Sequence, residues 1–359
     1  MLFRSDFAYE IDRLRNERAP NFFKGSPIEI PPLGAKQIFE GQARFSQLQY
    51  LHGASSGEFT FDTARGNMLT GDYVAAFNVF LEWTHSTWPD AIDSPAVGLF
   101  LLICDLALSP SEGLLLPMTD LASVVFSTDP GWRFINLCVA AKNAGAVVME
   151  AIQQYTADEY WVVSERLSAD IASPSPRLLA QTVVDWCRIQ PEWRRISEED
   201  VTFQFEESNF PIRVLLGRFQ KFQHDKLKFP QFFCWSGMCM TNFKTSIPME
   251  RTVQLFKEHS AIFVDRVDRD VYPRLVPGRG EAVLQQTFNE FYSWVAMYEM
   301  TKQWMVDDGE FDYDYGWLTS KYTQDEVKEW ASKNFEKSYG VHPDKFEILP
   351  EGRKTGTRS

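Results

Sequence analysis

The chain contains 359 residues, of which 44% are hydrophobic, 24% charged and 14% aromatic, a composition that can fill a large core and excludes a disordered or fibrous chain. Its formal net charge is −13, so phosphate backbones and anionic membrane surfaces would repel it. The composition argues against a nucleic-acid-binding or membrane-surface protein and favours a basic protein partner, or an acidic surface that only confers solubility.

In the first half of the chain, apolar residues recur at three- and four-residue steps, which is the spacing of one helix face. This spacing predicts helices over 33–51, 72–88, 95–108 and 130–144. Because the third of these is apolar nearly all round, we expect it to be a central, buried helix. Pro89 is expected to stop the second helix, since proline cannot continue the hydrogen-bonding ladder.

The second half of the chain continues the helical pattern over 157–169, 176–188 and 281–305. Strand signals are confined to two short alternating stretches, 28–30 and 201–205. We therefore predict a mainly α protein, either a helical bundle or an irregular helical array, with minor β content.

The polar stretch 194–200 is the best candidate for a domain boundary. It separates a Leu/Ala-rich helical region, residues 1–195, from an aromatic-rich helical region, residues 196–359. A single large domain with a surface loop at 194–200 is the alternative, and the length of the chain permits both.

The cysteines and the apolar runs indicate where the protein works. The five cysteines are an odd and sparse set, three of them in apolar runs, which suits a reducing compartment better than a disulfide framework. The first ten residues carry charges where a signal peptide needs an apolar stretch. The longest apolar run, 97–104, continues past Asp105 only to residue 108, which is shorter than the roughly 20 residues that span a bilayer. We expect a soluble, cytoplasmic protein.

The most unusual stretch runs from Val306 to Trp317 and is called the acidic segment below. It interleaves carboxylates with aromatic rings and contains no basic residue. Acidic groups complement a cationic partner and aromatic rings supply rigid contact area, so we predict that it binds a basic protein. The predicted partner-binding residues are Asp307, Asp308, Glu310, Asp312, Tyr313, Asp314, Tyr315 and Trp317. Two alternatives are a solvated loop whose aromatics fold back onto the core, and a Ca²⁺ site, although the order of ligands in an EF-hand is not present.

Glu40, Glu82 and His85 form an alternative, metal-binding set. The stretch from Phe39 to Arg44 resembles the short Glu-Gly-x-Ala segment of gluzincin metallopeptidases, and the resemblance implies Glu40 as a zinc ligand. The His-Glu-x-x-His partner motif is absent, and the structural alternative is an ion pair between Glu40 and Arg44. Glu82 and His85 form a Glu-x-x-His step like those of di-metal helix bundles, which use it twice, whereas it occurs once here.

These patterns favour a soluble, acidic, non-catalytic binding protein with a basic protein partner and no cofactor or metal. An inhibitor or immunity-type protein that neutralises a toxin is one concrete form. The alternative is a metal-dependent hydrolase, or its degenerate relative, that uses Glu40, Glu82 and His85. A third hypothesis is an enzyme with an aromatic pocket that carries no recognisable motif.

Overall fold

The computed structural model describes residues 3–19, 22–26, 30–113, 116, 124–244, 247–265, 271–274, 278–307, 309–316 and 321–347. The structure is 67% helical, and the described residues form seventeen helices and a two-stranded sheet. The prediction of a mainly α protein with minor β content is confirmed.

The helices are α1 (Phe3–Asn16), α2 (Ala35–Ala54), α3 (Phe61–Arg65), α4 (Asp72–Thr84), α5 (Pro95–Leu108), α6 (Val124–Thr128), α7 (Pro130–Ala144), α8 (Ala146–Met149), α9 (Ala157–Asp170), α10 (Pro176–Ile189), α11 (Pro191–Thr202), α12 (Phe210–Lys228), α13 (Pro230–Cys234), α14 (Ser236–Met240), α15 (Met249–His259), α16 (Glu281–Val306) and α17 (Gln324–Tyr339). The sheet pairs β1 (Phe263–Asp265) with β2 (Val271–Pro273) in antiparallel order, with Phe263 opposite Pro273. A 3₁₀ turn follows at Pro343–Lys345.

All seven predicted helices are present, and α5 and α7 have the predicted bounds. Each of these two begins at a proline after a capping residue. The Ser94 hydroxyl accepts a hydrogen bond from the amide of Val97, and Oδ1 of Asp129 accepts one from the amide of Trp132. Both caps satisfy amides that the first helical turn leaves without a partner.

Two details of the sequence prediction are wrong. The helix predicted to reach residue 88 ends at Thr84, because His85 adopts a left-handed conformation with φ of 56°. No strand forms at 201–205: residues 201 and 202 end α11, and Phe203, which is left-handed with φ of 58° and 3% exposed, terminates that helix. The other predicted strand, 28–30, lies largely outside the described residues.

The internal contacts of the chain define two compact units. Unit 1 comprises Met1–Ile189 and Gln220–Leu255, and unit 2 comprises Gln190–Phe219 and Phe256–Ser359. The stretch 194–200 lies inside α11, and the division into two domains stays a prediction.

Helix α5 forms the centre of unit 1, since every residue from Val97 to Ala107 is buried. Helices α2, α7, α8, α9 and α13 all contact it. The predicted central, buried helix is therefore confirmed. Among the described residues, no helix has the length and apolar character required to cross a membrane.

The buried run of α5 contains one carboxylate, Asp105. The Lys226 ammonium lies 2.9 Å from both of its oxygens, and the hydroxyl of Tyr160 donates to Oδ2 at 2.7 Å. The side chains of Asp105 and Lys226 are 7% and 3% exposed. A second long-range hydrogen bond reaches α5 at Gly98, whose carbonyl accepts from the indole nitrogen of Trp235 at 2.9 Å. These bonds connect α5 to α9, α12 and the residue between α13 and α14.

We predict that Lys226→Met destabilises unit 1 by about 3–5 kcal/mol, because it leaves the carboxylate of Asp105 buried without a cation. The triple variant Asp105→Leu, Tyr160→Phe and Lys226→Met, which removes all three polar partners together, should recover most of the loss. Chemical denaturation measures both effects, and Lys36→Met, which removes an exposed partner of Asp72, is the matched control. A single variant as stable as that control would contradict the prediction.

Helix α14 packs directly against the backbone of α2, and Gly237 permits this approach. A Cβ atom at Gly237 would lie 2.1 Å from the carbonyl oxygen of Ser46 and 2.8 Å from the amide nitrogen of Tyr50. These are backbone atoms, so they cannot rotate away. The glycine is therefore required by the distance between the two helices.

We predict that Gly237→Ala lowers the free energy of unfolding by about 1–3 kcal/mol, because overpacking forces the backbone to shift. Gly66→Ala is the control, since Gly66 has a helical φ of −68° and nothing within 4 Å of its added Cβ. The control should be neutral or stabilising by up to about 1 kcal/mol. Equal thermal and urea midpoints for the two variants would disprove the close approach.

Candidate protein-binding surface

The acidic segment connects α16 to the turn that precedes α17. Helix α16 ends at Val306, and α17 begins at Gln324 after a capping box formed by Thr323 and Glu326. The structure describes residues 306–307 and 309–316 of the segment. The predicted binding residues Asp308 and Trp317 lie outside the described residues.

Burial alternates along the segment. Glu310, Asp312 and Asp314 are exposed, whereas Phe311 and Tyr313 are half-buried and Tyr315 is 3% exposed. The chain therefore directs its carboxylates to the solvent and its aromatic rings to the protein interior. Asp307, at the end of α16, is exposed as well.

The aromatic rings of the segment belong to the hydrophobic core of unit 2. The ring of Phe311 lies 5.6 Å from that of Phe335 and 5.2 Å from that of Phe346, and the ring of Tyr315 lies 6.1 Å from that of Trp330. Burial, with the nearby carboxylate of Glu299, raises the pKa of the Tyr315 hydroxyl well above its usual value. This hydroxyl therefore stays protonated and neutral among the acids.

Two glutamines fasten the segment to the flanking helices. The Gln303 side chain accepts a bond from the Asp312 amide at 2.7 Å and donates to the Asp312 carbonyl at 3.1 Å. Gln324 donates to the carbonyl of Tyr313 at 2.8 Å. The geometry of the loop is therefore set by side chains of α16 and α17.

The aspartates also brace the backbone of the loop. Oδ1 of Asp312 accepts a bond from the amide of Asp314 at 2.9 Å, and Oδ1 of Asp314 accepts one from the amide of Gly316 at 3.2 Å. Such turns are a usual role of aspartate in loops. The negative charges consequently occupy defined positions on the surface.

An apolar patch precedes the acids in the chain. Trp304, Met305 and Val306, the last three residues of α16, are 52%, 76% and 72% exposed. The ring of Trp304 also packs against that of Phe346 at 5.1 Å, so the apolar surface at this helix end comes from Met305, Val306 and the exposed part of Trp304. The carboxylate of Asp307 follows immediately. Unit 2 thus combines an exposed apolar end of α16 with a row of exposed acids.

The structure separates the predicted binding residues into two groups. The described acids, Asp307, Glu310, Asp312 and Asp314, face the solvent, while Tyr315 is committed to the core and Tyr313 is half-buried. The sequence analysis placed Trp304 and Met305 in the predicted helix 281–305 and Val306 at the start of the acidic segment, and it named none of the three as a binding residue. A signal was available, since three consecutive helical residues point in three directions and cannot share one buried face.

The alternative metal-binding residues do not form a cluster. Among the described residues, none of Glu40, Glu82 and His85 belongs to a group of three or more side chains close enough to share an ion. His85 caps α4 in a left-handed conformation, so it leaves the repeat that would align it with Glu82. Its Nε2 lies 3.1 Å from the ammonium of Lys142, which disfavours a second cation.

Arg44 has different partners from the predicted one. It donates to Oε1 of Gln47 at 2.8 Å, and its guanidinium lies 4.0 Å from the centre of the Tyr73 ring. The predicted ion pair with Glu40 does not form among the described contacts, because Gln47 and Tyr73 hold the guanidinium.

Comparison of the chain with protein-family models, curated proteins and solved structures finds no match. A function must therefore be argued from the geometry of the chain itself.

We predict that Gln303→Ala loosens the acidic segment, because it removes both side-chain bonds to the backbone of Asp312. Hydrogen exchange of the amides of residues 311–316 should accelerate by about tenfold, which corresponds to the net free energy of one to two hydrogen bonds. Gln286→Ala on the same helix is the control, since Gln286 donates only to the side chain of Glu290. Unchanged exchange in the first variant would mean that the glutamine does not hold the loop.

Proposed function

We propose that this protein is a non-catalytic binding protein that contacts a basic protein through the acidic segment and the exposed end of α16. The observation that supports this proposal most directly is the alternation of exposed acids and buried or half-buried aromatic side chains in the segment. Its aromatic rings anchor it to the core of unit 2, and its carboxylates are thereby held outward.

Charge and apolar area have different roles in such an interface. A surface of one sign, on a chain of net charge −13, accelerates encounter with a partner of the opposite sign. Affinity then depends on apolar groups that become buried, since rim charges contribute little once water screens them. Trp304, Met305 and Val306 supply this apolar area.

An inhibitor or immunity-type protein for a basic enzyme is the concrete form that we favour. Such a protein needs a rigid acidic surface and no reacting groups of its own. A cytoplasmic location belongs to the same proposal. It is supported by the cysteines, all five within the described residues, none of which forms a disulfide.

The proposal can be tested by replacing Met305 with a photo-crosslinking amino acid and irradiating the protein in cells. Val147 of unit 1, 81% exposed, provides the control position. We expect a crosslinked protein of basic isoelectric point at residue 305 that is absent at residue 147. A crosslink at residue 305 to an acidic protein, or identical products at both positions, would overturn the proposal.

Once the partner is identified, a quadruple variant tests the role of charge in the association rate. It neutralises the four described acids of the segment through Asp307→Asn, Glu310→Gln, Asp312→Asn and Asp314→Asn. Asparagine keeps the Oδ1 acceptor that braces the loop, so only charge is removed. The association rate should fall about tenfold at low salt and lose most of its salt dependence. Stopped-flow mixing at two ionic strengths measures both.

A second quadruple variant controls for net charge. Glu58→Gln, Asp62→Asn, Asp90→Asn and Asp158→Asn remove the same number of charges from exposed positions of unit 1. This variant should associate nearly as fast as the natural protein. Equal slowing by both variants would show that net charge, and not the acidic segment, controls encounter.

A further inference from the structure

Unit 2 contains a cavity of about 730 Å³, within the size range of ligand pockets. Its walls come from β2, α16, α17 and the end of the acidic segment. Six aromatic side chains line it: Tyr272, Phe288, Tyr292, Tyr315, Tyr322 and Trp330.

Two helix faces provide most of the wall. On α16 the lining residues stand at positions 285, 288, 289 and 292, and on α17 they stand at 326, 327, 330 and 333, apart from Glu329. These are the spacings of one helix face. The rings of Phe288 and Tyr292 lie 4.8 Å apart, and those of Tyr315 and Trp330 lie 6.1 Å apart at 88°. The cavity therefore presents both ring faces and ring edges.

The charged residues of the wall are two lysines and two glutamates, Lys321, Lys333, Glu326 and Glu329. The Lys333 ammonium lies 2.6 Å from the Glu329 carboxylate. The Glu326 carboxylate accepts bonds from the amide and hydroxyl of Thr323, which hold the pKa of Glu326 below its usual value. The wall thus offers aromatic surface edged by polar groups, which suits an aromatic ring with a polar attachment better than a metal ion or a phosphate.

The cavity is continuous with the acidic segment through one residue. Tyr315 lines the cavity, and the exposed Asp314 precedes it directly in the chain. The wall itself carries no net charge, so a preference for a cation comes from the exposed acids of the segment, of which Asp314 is the nearest along the chain. Aromatic side chains that fill a pocket are the usual anchors of a protein interface, and surrounding charges select what carries them.

We propose that this cavity receives an aromatic side chain of a positively charged peptide segment, which makes it the anchor site of the basic partner. The identity of the carrier rests on the proposed function, whereas the ring specificity rests on the cavity alone. The ring stacks against Trp330 and Phe288, and the flanking cations face the acids of the segment.

The test uses capped tripeptides as probes of the full-length protein. The principal probe is lysine–tryptophan–lysine with 5-fluorotryptophan at its centre, and its binding is measured by fluorine NMR at low and high salt. Two comparison peptides replace the central ring by leucine, measured by competition, or the lysines by glutamates. We expect the leucine peptide to bind about tenfold more weakly, since stacking contributes beyond buried area. The glutamate peptide should bind about tenfold more weakly at low salt and approach the principal probe at high salt.

Two variants of α16 locate the binding site. Asn289→Trp places a bulky ring into the cavity from an exposed lining position, and Gln286→Trp places the same ring on an exposed position outside the lining. Each removes one amide that pairs four residues along the helix. The probe should lose at least tenfold in affinity for the first variant and none for the second. Gln285→Trp is a second blocking variant, and circular dichroism checks that all three fold.

The outcomes separate the two proposals. Probe binding that survives both blocking variants, or a leucine peptide that binds equally well, would overturn the ring site. A glutamate peptide that binds as well as the lysine peptide at low salt, and is still blocked by Asn289→Trp, would leave the ring site in place and contradict the basic partner.

Discussion

Unit 1 is arranged around a carboxylate that it buries. Asp105 is the one charged residue in the buried run of α5, and burying an ion is costly unless a counter-ion and hydrogen bonds accompany it. Lys226, which lies 121 residues further along the chain, and Tyr160 on α9 supply these partners. Apolar contacts are not directional, whereas the bonds of Asp105 to Lys226 and Tyr160 require specific distances and angles. The ion pair therefore restricts how α5, α9 and α12 meet.

Unit 2 uses the opposite arrangement for its acids. The acidic segment keeps its carboxylates in water, where a charge has no desolvation cost. Its aromatic side chains pack in the hydrophobic core of unit 2. Gln303 and Gln324 satisfy backbone groups that the loop would otherwise leave unpaired. A loop held in this way loses little conformational entropy when it binds, which favours a surface whose charges meet a partner in fixed positions.

The two proposals assign different ranges of action to the charged groups and to the apolar groups of unit 2. Carboxylates act beyond contact, over roughly 10 Å at physiological salt, and so govern encounter. The aromatic-lined cavity and the exposed end of α16 act only on contact, so in these proposals they set how slowly the partner dissociates. Tyr315 belongs to both, since its backbone continues the acidic segment and its ring lines the cavity. In the proposed function, this division gives the acids and the aromatic rings of the segment different roles.

The sequence by itself determined the helical fold class, the bounds of α5 and α7, the burial of α5 and the unusual character of the acidic segment. These features depend on periodicity and on contacts a few residues apart, which are visible in one stretch of chain. Only the tertiary structure decided that residues 201 and 202 end a helix, that His85 leaves the helical repeat of Glu82, and that Tyr315 faces inward. It alone placed Trp330 of α17 near Tyr315 and brought Lys226 to Asp105. These features depend on contacts between side chains that are far apart in the sequence. A local sequence pattern does not show which of these side chains will be in contact.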